Sequence, residues 1–444
     1  MSNDKFILKT IRIKNYKKYS QLTVNVSNPF SLIIGENGAG KTTVLDAIST
    51  LLGGFLQAFD NIHSRERHSI LKSDIKLNTI DEIENIRVEY QTPVIIEGFC
   101  SINGKNVSIK RKRNNANKTT MTTLLKRENR ELLELVNTFQ HDDVILPIIS
   151  YHGTGRLWQQ EYKNSSKMEK LSRLDGYKDC LNSKSNYRNF IRWFEKQEKN
   201  AFNIRKEIPI LEVVRCAVMK MLEMLTNREI ELFIYRESDL EIKFTDSQTR
   251  EKVSNLSAGY RDLIGIVSDI AYRMAILNPH LGKKVITRTT GIVLIDEIDL
   301  HLHPKWQREI VNILKTLFPL VQFIATTHSP FVIQSMQRNE IIRLGNDDFE
   351  MINADTSLLS IEDISEDIQR INLPQTSNRK KKMLKAADNY LDILETVKAK
   401  QVSPEELTEV KNKLDLLIEP FEDNMAYVAF LRRKRMLAEK NATS

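Results

Sequence analysis

At 444 residues, with 41% hydrophobic and 28% charged residues, the chain exceeds one ordinary domain and can bury a sizeable core, which excludes wholesale disorder. Lys and Arg outnumber Asp and Glu by 66 to 58, and the resulting net charge of +8 permits contact with polyanions without demanding it. Cys100, Cys180 and Cys216 are odd in number and in no metal-like spacing, no apolar run reaches membrane-spanning length, and the first residues lack signal-peptide character. The expectation is a cytoplasmic protein with no membrane contact.

Residues 6–13 and 22–26 alternate apolar and polar side chains as half-buried strands do. Phe30 to Ile34 reads as a fully buried strand, and Val44 to Leu52 has helical periodicity. Between them lies Gly35-x4-Gly40-Lys41-Thr42, a complete Walker A with the strand before and the helix after that its chemistry requires. Gly35, Gly38 and Gly40 let the backbone curl so that its N–H groups face phosphates at a helix N-terminus, with Asn37, Ala39 and Thr43 completing the loop. Lys41 supplies a point charge for the β and γ phosphates of ATP, and the Thr42 hydroxyl is a ligand for Mg²⁺.

Residues 87–110 contain further strand-like runs. A basic stretch accompanies them: Lys105, Lys110, Arg111, Lys112, Arg113, Lys118, Lys126, Arg127 and Arg130 face a single acid, Glu128. It reads either as DNA contact through residues 105–130, where phosphates need charge but no sequence-specific chemistry, or as a solvated loop. No aromatic residue supplies a stacking platform there. Residues 144–156 form a buried strand and a glycine-containing turn with Tyr151, His152 and Arg156. Residues 160–230 are helix-rich, with Phe190, Trp193 and Phe194, and Leu211, Val214, Val218 and Leu222, spaced as core positions.

Two more strand-like runs lead to Leu256-Ser257-Ala258-Gly259 and a helix carrying Leu263, Ile266, Val267 and Ile270. A hydroxyl, a tight turn and a fresh helix N-terminus make a second anion site there. Ile292 to Ile295 then delivers Asp296 and Glu297 at the C-terminal edge of a buried parallel strand, where α/β sheets place ligands. Asp296 is expected to hold Mg²⁺, and Glu297 to orient and deprotonate the attacking water. Phe323 to Thr327 is another strand, and His328 at its end is suited to touch the γ-phosphate or the lytic water.

The order Walker A, Ser257–Gly259, Asp296–Glu297, His328 resembles that of ABC-class ATPase heads, the RecF/SMC-like branch in particular, over roughly residues 5–345. Asp299-Leu-His301-Leu-His303-Pro304 looks like that branch's D-loop. A metal site of Asp299, His301 and His303 is the competing reading. The resemblance implies an α/β fold: a P-loop head with a mixed sheet, an antiparallel β subdomain, a helical insert and a helical C-terminal extension. It also implies that Ser257 and Gly259 of one protomer, with Asp299, close on the nucleotide of another in a homodimer or higher even oligomer. A γ-phosphate-sensing Gln is expected after the 144–156 strand, with Gln159 and Gln160 as candidates.

Residues 147–158, 172–178, 190–194 and 426–432 look like anti-phage defence ATPases, most similar to the Septu ATPase subunit that also occurs in retron systems. That subunit acts with an HNH nuclease. After His328 there is no paired-acid nuclease pattern and little room for one, so cleavage is expected on a partner docked through residues 356–444. The domain expectation is therefore 1–156 and 246–355 as the halves of the head, 157–245 as insert and leading strands, and 356–444 as a partner-binding region. Alternatives are a RecF-like repair ATPase that binds duplex DNA directly and, a poorer match, a transporter's ATPase.

Overall fold

The computed structural model describes residues 6–59, 68–82, 85–102, 104–117, 134, 136, 139, 144–157, 172–183, 187–237, 239–345, 347–371, 377–399, 404–421 and 424–442. The chain divides into two compact units, Met1–Ile364 and Ser365–Ser444.

The first unit begins with β1 (Phe6–Tyr16), β2 (Tyr19–Asn25) and β3 (Phe30–Ile34), followed by α1 (Lys41–Gln57). Next come β4 (Leu77–Glu82), β5 (Asn85–Tyr90), β6 (Val94–Ile102), β7 (Lys105–Arg113) and β8 (Ile148–His152). Helices α2 (Tyr187–Ile204) and α3 (Pro209–Thr226) precede β9 (Ile230–Arg236), β10 (Asp239–Phe244) and β11 (Glu251–Lys252). The last stretch runs α4 (Ala258–Leu277), β12 (Gly291–Ile295), α5 (Pro304–Leu317), β13 (Val321–Thr326), α6 (Pro330–Gln334), β14 (Ile341–Leu344) and β15 (Phe349–Ile352).

The central sheet has the order β15-β14-β3-β13-β12-β8 and is parallel except for β15 at its edge. Every residue of β3, β8, β12 and β13 is buried. Both faces of this sheet are covered, which is why these strands read as continuous apolar runs. A second sheet, β2-β1-β6-β7, is antiparallel throughout, and β6 alternates buried and half-buried along its length. The buried face of this sheet carries α1. A Cβ on Gly98 of β6 would stand 2.1 Å from the Leu51 Cδ2 of α1, so glycine is what lets helix and sheet meet.

The helical insert packs as its spacing demands. Leu211, Val214, Val218 and Leu222 of α3 are buried, and the α2 aromatics reach neighbouring elements: Trp193 lies 4.6 Å from Tyr272, and Phe194 lies 5.4 Å from Phe233, centroid to centroid. Residues 173–178 form a turn fixed to the end of α4. There Arg273 donates to the Gly176 and Lys178 carbonyls at 2.9 and 2.8 Å, and Arg173 donates to the Leu277 carbonyl at 2.7 Å.

The division between units falls after Ile364, later than residue 356, for a local reason. Thr356 is fully buried and donates its hydroxyl toward the Ile333 and Met336 carbonyls at 2.7 and 2.9 Å, which ties that segment to α6. The second unit contains α7 (Asn378–Ala399), α8 (Pro404–Ile418) and α9 (Met425–Ala442) around a small core of Tyr390, Leu414, Ile418, Val428 and Leu431. Among its described residues, Leu416, Met425, Phe430 and Met436 are large apolar side chains left exposed. No helix among the described residues is long and apolar enough to cross a membrane.

Candidate functional site

The neighbouring strands β3, β13 and β12 are parallel, so the loops that follow them share one edge of the sheet. The 35–40 loop leaves β3 there. Gly40, the N-cap of α1, has φ +96°, and a Cβ on it would stand 2.4 Å from the Tyr19 hydroxyl and 2.8 Å from Lys18 Cδ. No L side chain fits that conformation or that space. Tyr19 donates to the Ala39 carbonyl at 2.5 Å and Lys18 Nζ to the Gly38 carbonyl at 2.8 Å, so the β1–β2 turn braces the loop. The sequence offered no sign of this bracing.

Lys41 is 8% exposed, and its ammonium donates to the Gly35 and Glu36 carbonyls at 2.9 and 3.1 Å. Burial lowers its pKa, while Asp296, Glu297 and Asp299 act in the opposite sense and help keep it charged. A phosphate would be a stronger partner for this cation than two neutral carbonyls.

Thr42 donates its hydroxyl to Asp296 Oδ2 at 2.9 Å, across 254 positions of sequence. The other oxygen, Oδ1, accepts from the Thr326 hydroxyl at 2.5 Å, and the Asp296 amide donates to the His152 carbonyl at 2.8 Å. Thr326 also accepts from the Glu297 amide at 2.7 Å. One fully buried threonine therefore holds both acids in place. Glu297 itself has φ +48°, a left-handed backbone that costs of order 1–3 kcal/mol in a non-glycine residue and clusters at functional sites. The pair of hard oxygens from Thr42 and Asp296 suits Mg²⁺, which takes one or two protein oxygens and completes its shell with water and phosphate.

Asp299 accepts from the Thr327 hydroxyl at 2.5 Å. His301 has φ +62°, and the His303 Nδ1 accepts from the Lys305 amide at 3.3 Å, capping α5. Among the described residues, no group of three or more His, Cys, Asp or Glu is arranged to hold a metal ion. His328 is exposed in the turn after β13. Ser257 is the N-cap of α4, and Gly259 packs so closely that a Cβ there would stand 2.6 Å from the His301 carbonyl oxygen. Among the described residues, no hydrogen bond joins Ser257 or Gly259 to the 35–43 loop.

A second cluster links α4 to this edge. Ser150 donates to Asp269 Oδ2 at 2.8 Å, Arg273 donates to the same oxygen at 2.8 Å, and the His152 Nε2 lies 3.6 Å away. Burial by itself would raise the Asp269 pKa, but Arg273, His152 and Ser150 outweigh it and hold the carboxyl below its ordinary range. Gln159 and Gln160 lie outside the described residues.

The basic stretch needs correction. Arg111 is fully buried and Arg113 nearly so; Arg111 donates to the Thr50 and His68 carbonyls at 2.8 and 2.6 Å, and Arg113 to the Ile70 carbonyl at 2.6 Å. Both guanidiniums face inward and hold the chain together, so neither is available to DNA. Lys110 and Lys112 alternate with them onto the other face. Lys118, Lys126, Arg127 and Arg130 lie outside the described residues.

Comparison with known proteins gives the following. An AAA-domain model matches residues 10–213, and a second AAA-domain model, named for the AbiEii toxin of type IV TA systems, matches residues 224–334. The probable ATPase of retron Vc95 from Vibrio cholerae is 27% identical over 77% of this chain and 74% of its own length. The Septu protein PtuA of Bacillus thuringiensis is 22% identical over 93% of this chain and 94% of its own. Among solved structures, an SMC head bound to the C-terminal winged-helix domain of ScpA aligns with a TM-score of 0.46 and 17% identity, over 78% of this chain and 98% of that one.

Proposed function

We propose that the chain, which is similar over most of its length to a retron probable ATPase and a Septu protein, is an ABC-like ATPase of the SMC/RecF branch and the ATP-hydrolysing regulatory subunit of an anti-phage defence complex that gates a separate HNH nuclease. The observation that carries the enzymatic part is the bonded set Thr42–Asp296–Thr326–Glu297 beside a buried Lys41. It unites residues from three separated segments at one sheet edge.

In this reading Lys41 exchanges its two carbonyl partners for the β and γ phosphates of ATP. Thr42 and Asp296 would hold Mg²⁺, which would supply charge neutralisation at the phosphates. Glu297, its backbone pinned by Thr326, orients water in line with the γ-phosphorus and takes its proton. His328 contacts the γ-phosphate from the neighbouring turn. Ser257 and Gly259 of one protomer, with Asp299, complete the nucleotide site of a second, so ATP favours the closed dimer by its differential affinity. The nuclease docks on the helical unit after Ile364, whose exposed Met425 and Phe430 offer an apolar contact.

The test is expression from the native locus, with mass spectrometry of what co-purifies. A small HNH protein in fixed ratio, lost with Phe430→Asp while ATP binding stays, is the expected result. A chain that arrives alone removes the nuclease from the reading.

A RecF-like role in direct duplex binding has one observation in its favour. Arg12 and Lys14 of β1 pair across Glu97 and Ile95 with Lys110 and Lys112, placing four cations and one acid on the outer face of the antiparallel sheet. ATPase activity stimulated by duplex DNA would favour that role.

A further inference from the structure

The side chain of Gln307, in the first turns of α5, joins two parts of the site that the chain itself separates. Its Nε2 donates to the Leu302 carbonyl at 2.8 Å and to the Asp299 carbonyl at 3.3 Å, the ends of the 299–302 loop. Its Oε1 accepts from the Ser329 hydroxyl at 2.6 Å, one residue beyond His328. The amide cannot be turned around, because a flip would set its oxygen against two carbonyl oxygens. Nor can Ser329 reverse its role. Its oxygen already accepts from the Phe331 and Val332 amides at 3.1 and 3.4 Å, so its proton points to Gln307.

The ring closes on the other side. The Ser329 amide donates to the Thr327 hydroxyl at 3.0 Å, and that hydroxyl donates to the Asp299 carboxylate at 2.5 Å. Asp299, Thr327, Ser329 and Gln307 thus form one closed circuit with His328 inside it in sequence. The residue before Gln307, Trp306, meets the Tyr260 ring edge-on at 4.4 Å, and Tyr260 follows Gly259 at the start of α4. Two consecutive residues of α5 therefore touch the 299–302 loop, the turn that holds His328 and the first turn of α4, the three places that the ATPase reading assigns to dimer closure and γ-phosphate contact.

We propose that Gln307 is a positioning residue that makes the placement of His328 depend on the placement of the 299–302 loop. This rests on the ATPase reading above. A loop displaced when two heads separate drags Ser329 through the Gln307 amide and takes His328 out of register; closure restores it. Turnover then follows closure without Gln307 touching nucleotide.

The experiment uses the full chain. Gln307→Met keeps the length and removes all three hydrogen bonds; Gln307→Glu keeps the acceptor for Ser329 and sets an anion against the two carbonyls. For both, kcat for ATP should fall about 10- to 100-fold, the cost of a displacement near 1 Å, with ATP affinity and KM within about twofold of wild type. A Gln307→Met chain that binds ATP normally and turns over within twofold of wild type overturns the proposal. So does a parallel loss of affinity and melting temperature in both variants, which marks a merely structural residue. If wild type itself hydrolyses no ATP, the ATPase reading fails and this proposal with it. An active wild type beside an equally active Gln307→Met sinks only the proposal.

Discussion

The two sheets of the first unit bury cations for opposite ends. At the edge of the parallel sheet, Lys41 is 8% exposed and rests on two backbone carbonyls of its own loop. Beneath the antiparallel sheet, Arg111 is fully buried and its donors reach carbonyls of α1 and of residue 68, elements far apart in sequence. A local, replaceable set of partners leaves a cation ready for a ligand. A long-range set turns the same kind of charge into a clamp. Burial of a positive charge therefore says little by itself, and the origin of its partners says much.

The largest effect that would break this contrast concerns the acid beside Lys41. Glu297→Gln should lower kcat by about 100- to 10,000-fold, the range of a general base, while nucleotide stays bound; phosphate release and nucleotide binding read the two. A variant that hydrolyses at the wild-type rate would end the assignment of Glu297. Next comes the clamp. Arg111→Leu removes the charged donor from the Thr50 and His68 carbonyls and should cost about 2–4 kcal/mol in denaturant unfolding, since hydrogen bonds to charged groups are worth about 1.5–3 kcal/mol. Lys41→Ala should weaken ATP by about 10- to 100-fold on the same scale, with little change in the stability of the nucleotide-free chain. If Arg111→Leu and Lys41→Ala exchanged phenotypes, the contrast would be reversed.

Acid should separate the regions further. Asp269, at the parallel sheet, has a carboxyl held below its ordinary range, so its contribution is full above the unfolded value, about 4, and is lost as pH falls through the lower folded value. Asp74, which salt-bridges Lys17 of the β1–β2 turn at 4.0 Å, is raised by burial, so its ionised form opposes folding and protonation relieves it as pH falls toward 4. Asp269→Asn should flatten the acid limb of a stability–pH curve, and Asp74→Asn should not. The smallest effect belongs to the outer face: Lys110→Ala with Lys112→Ala should change stability by less than about 0.5 kcal/mol. Unchanged duplex binding in that double variant would count against a DNA-binding role for this face.

The sequence was most readable where one segment carries its own explanation. The 30–42 and 292–297 stretches combine a doubly buried strand with the loop chemistry that must follow it, and the structure sets both loops on one edge. The inward turn of Arg111 and Arg113 was legible too: they continue the period-2 line of Val107 and Ile109, all four buried, but the charge count drew attention to composition and away from register. Thr326 and Gln307 left no such trace. Their significance lies in hydrogen bonds to segments 29 and 5 to 22 positions away, with geometry that no local pattern encodes. The brace of Lys18 and Tyr19 on the 35–40 loop was hidden in the same way.

Gly98 has a mechanical consequence. Helix α1 is 17 residues long, about 25 Å at 1.5 Å per residue, and its first two residues are Lys41 and Thr42. Its middle sits on the antiparallel sheet through Leu51, with no room for even one methyl group between them. If ATP binds at Lys41 and Thr42, as proposed above, any tilt of α1 would be felt first where Leu51 meets β6.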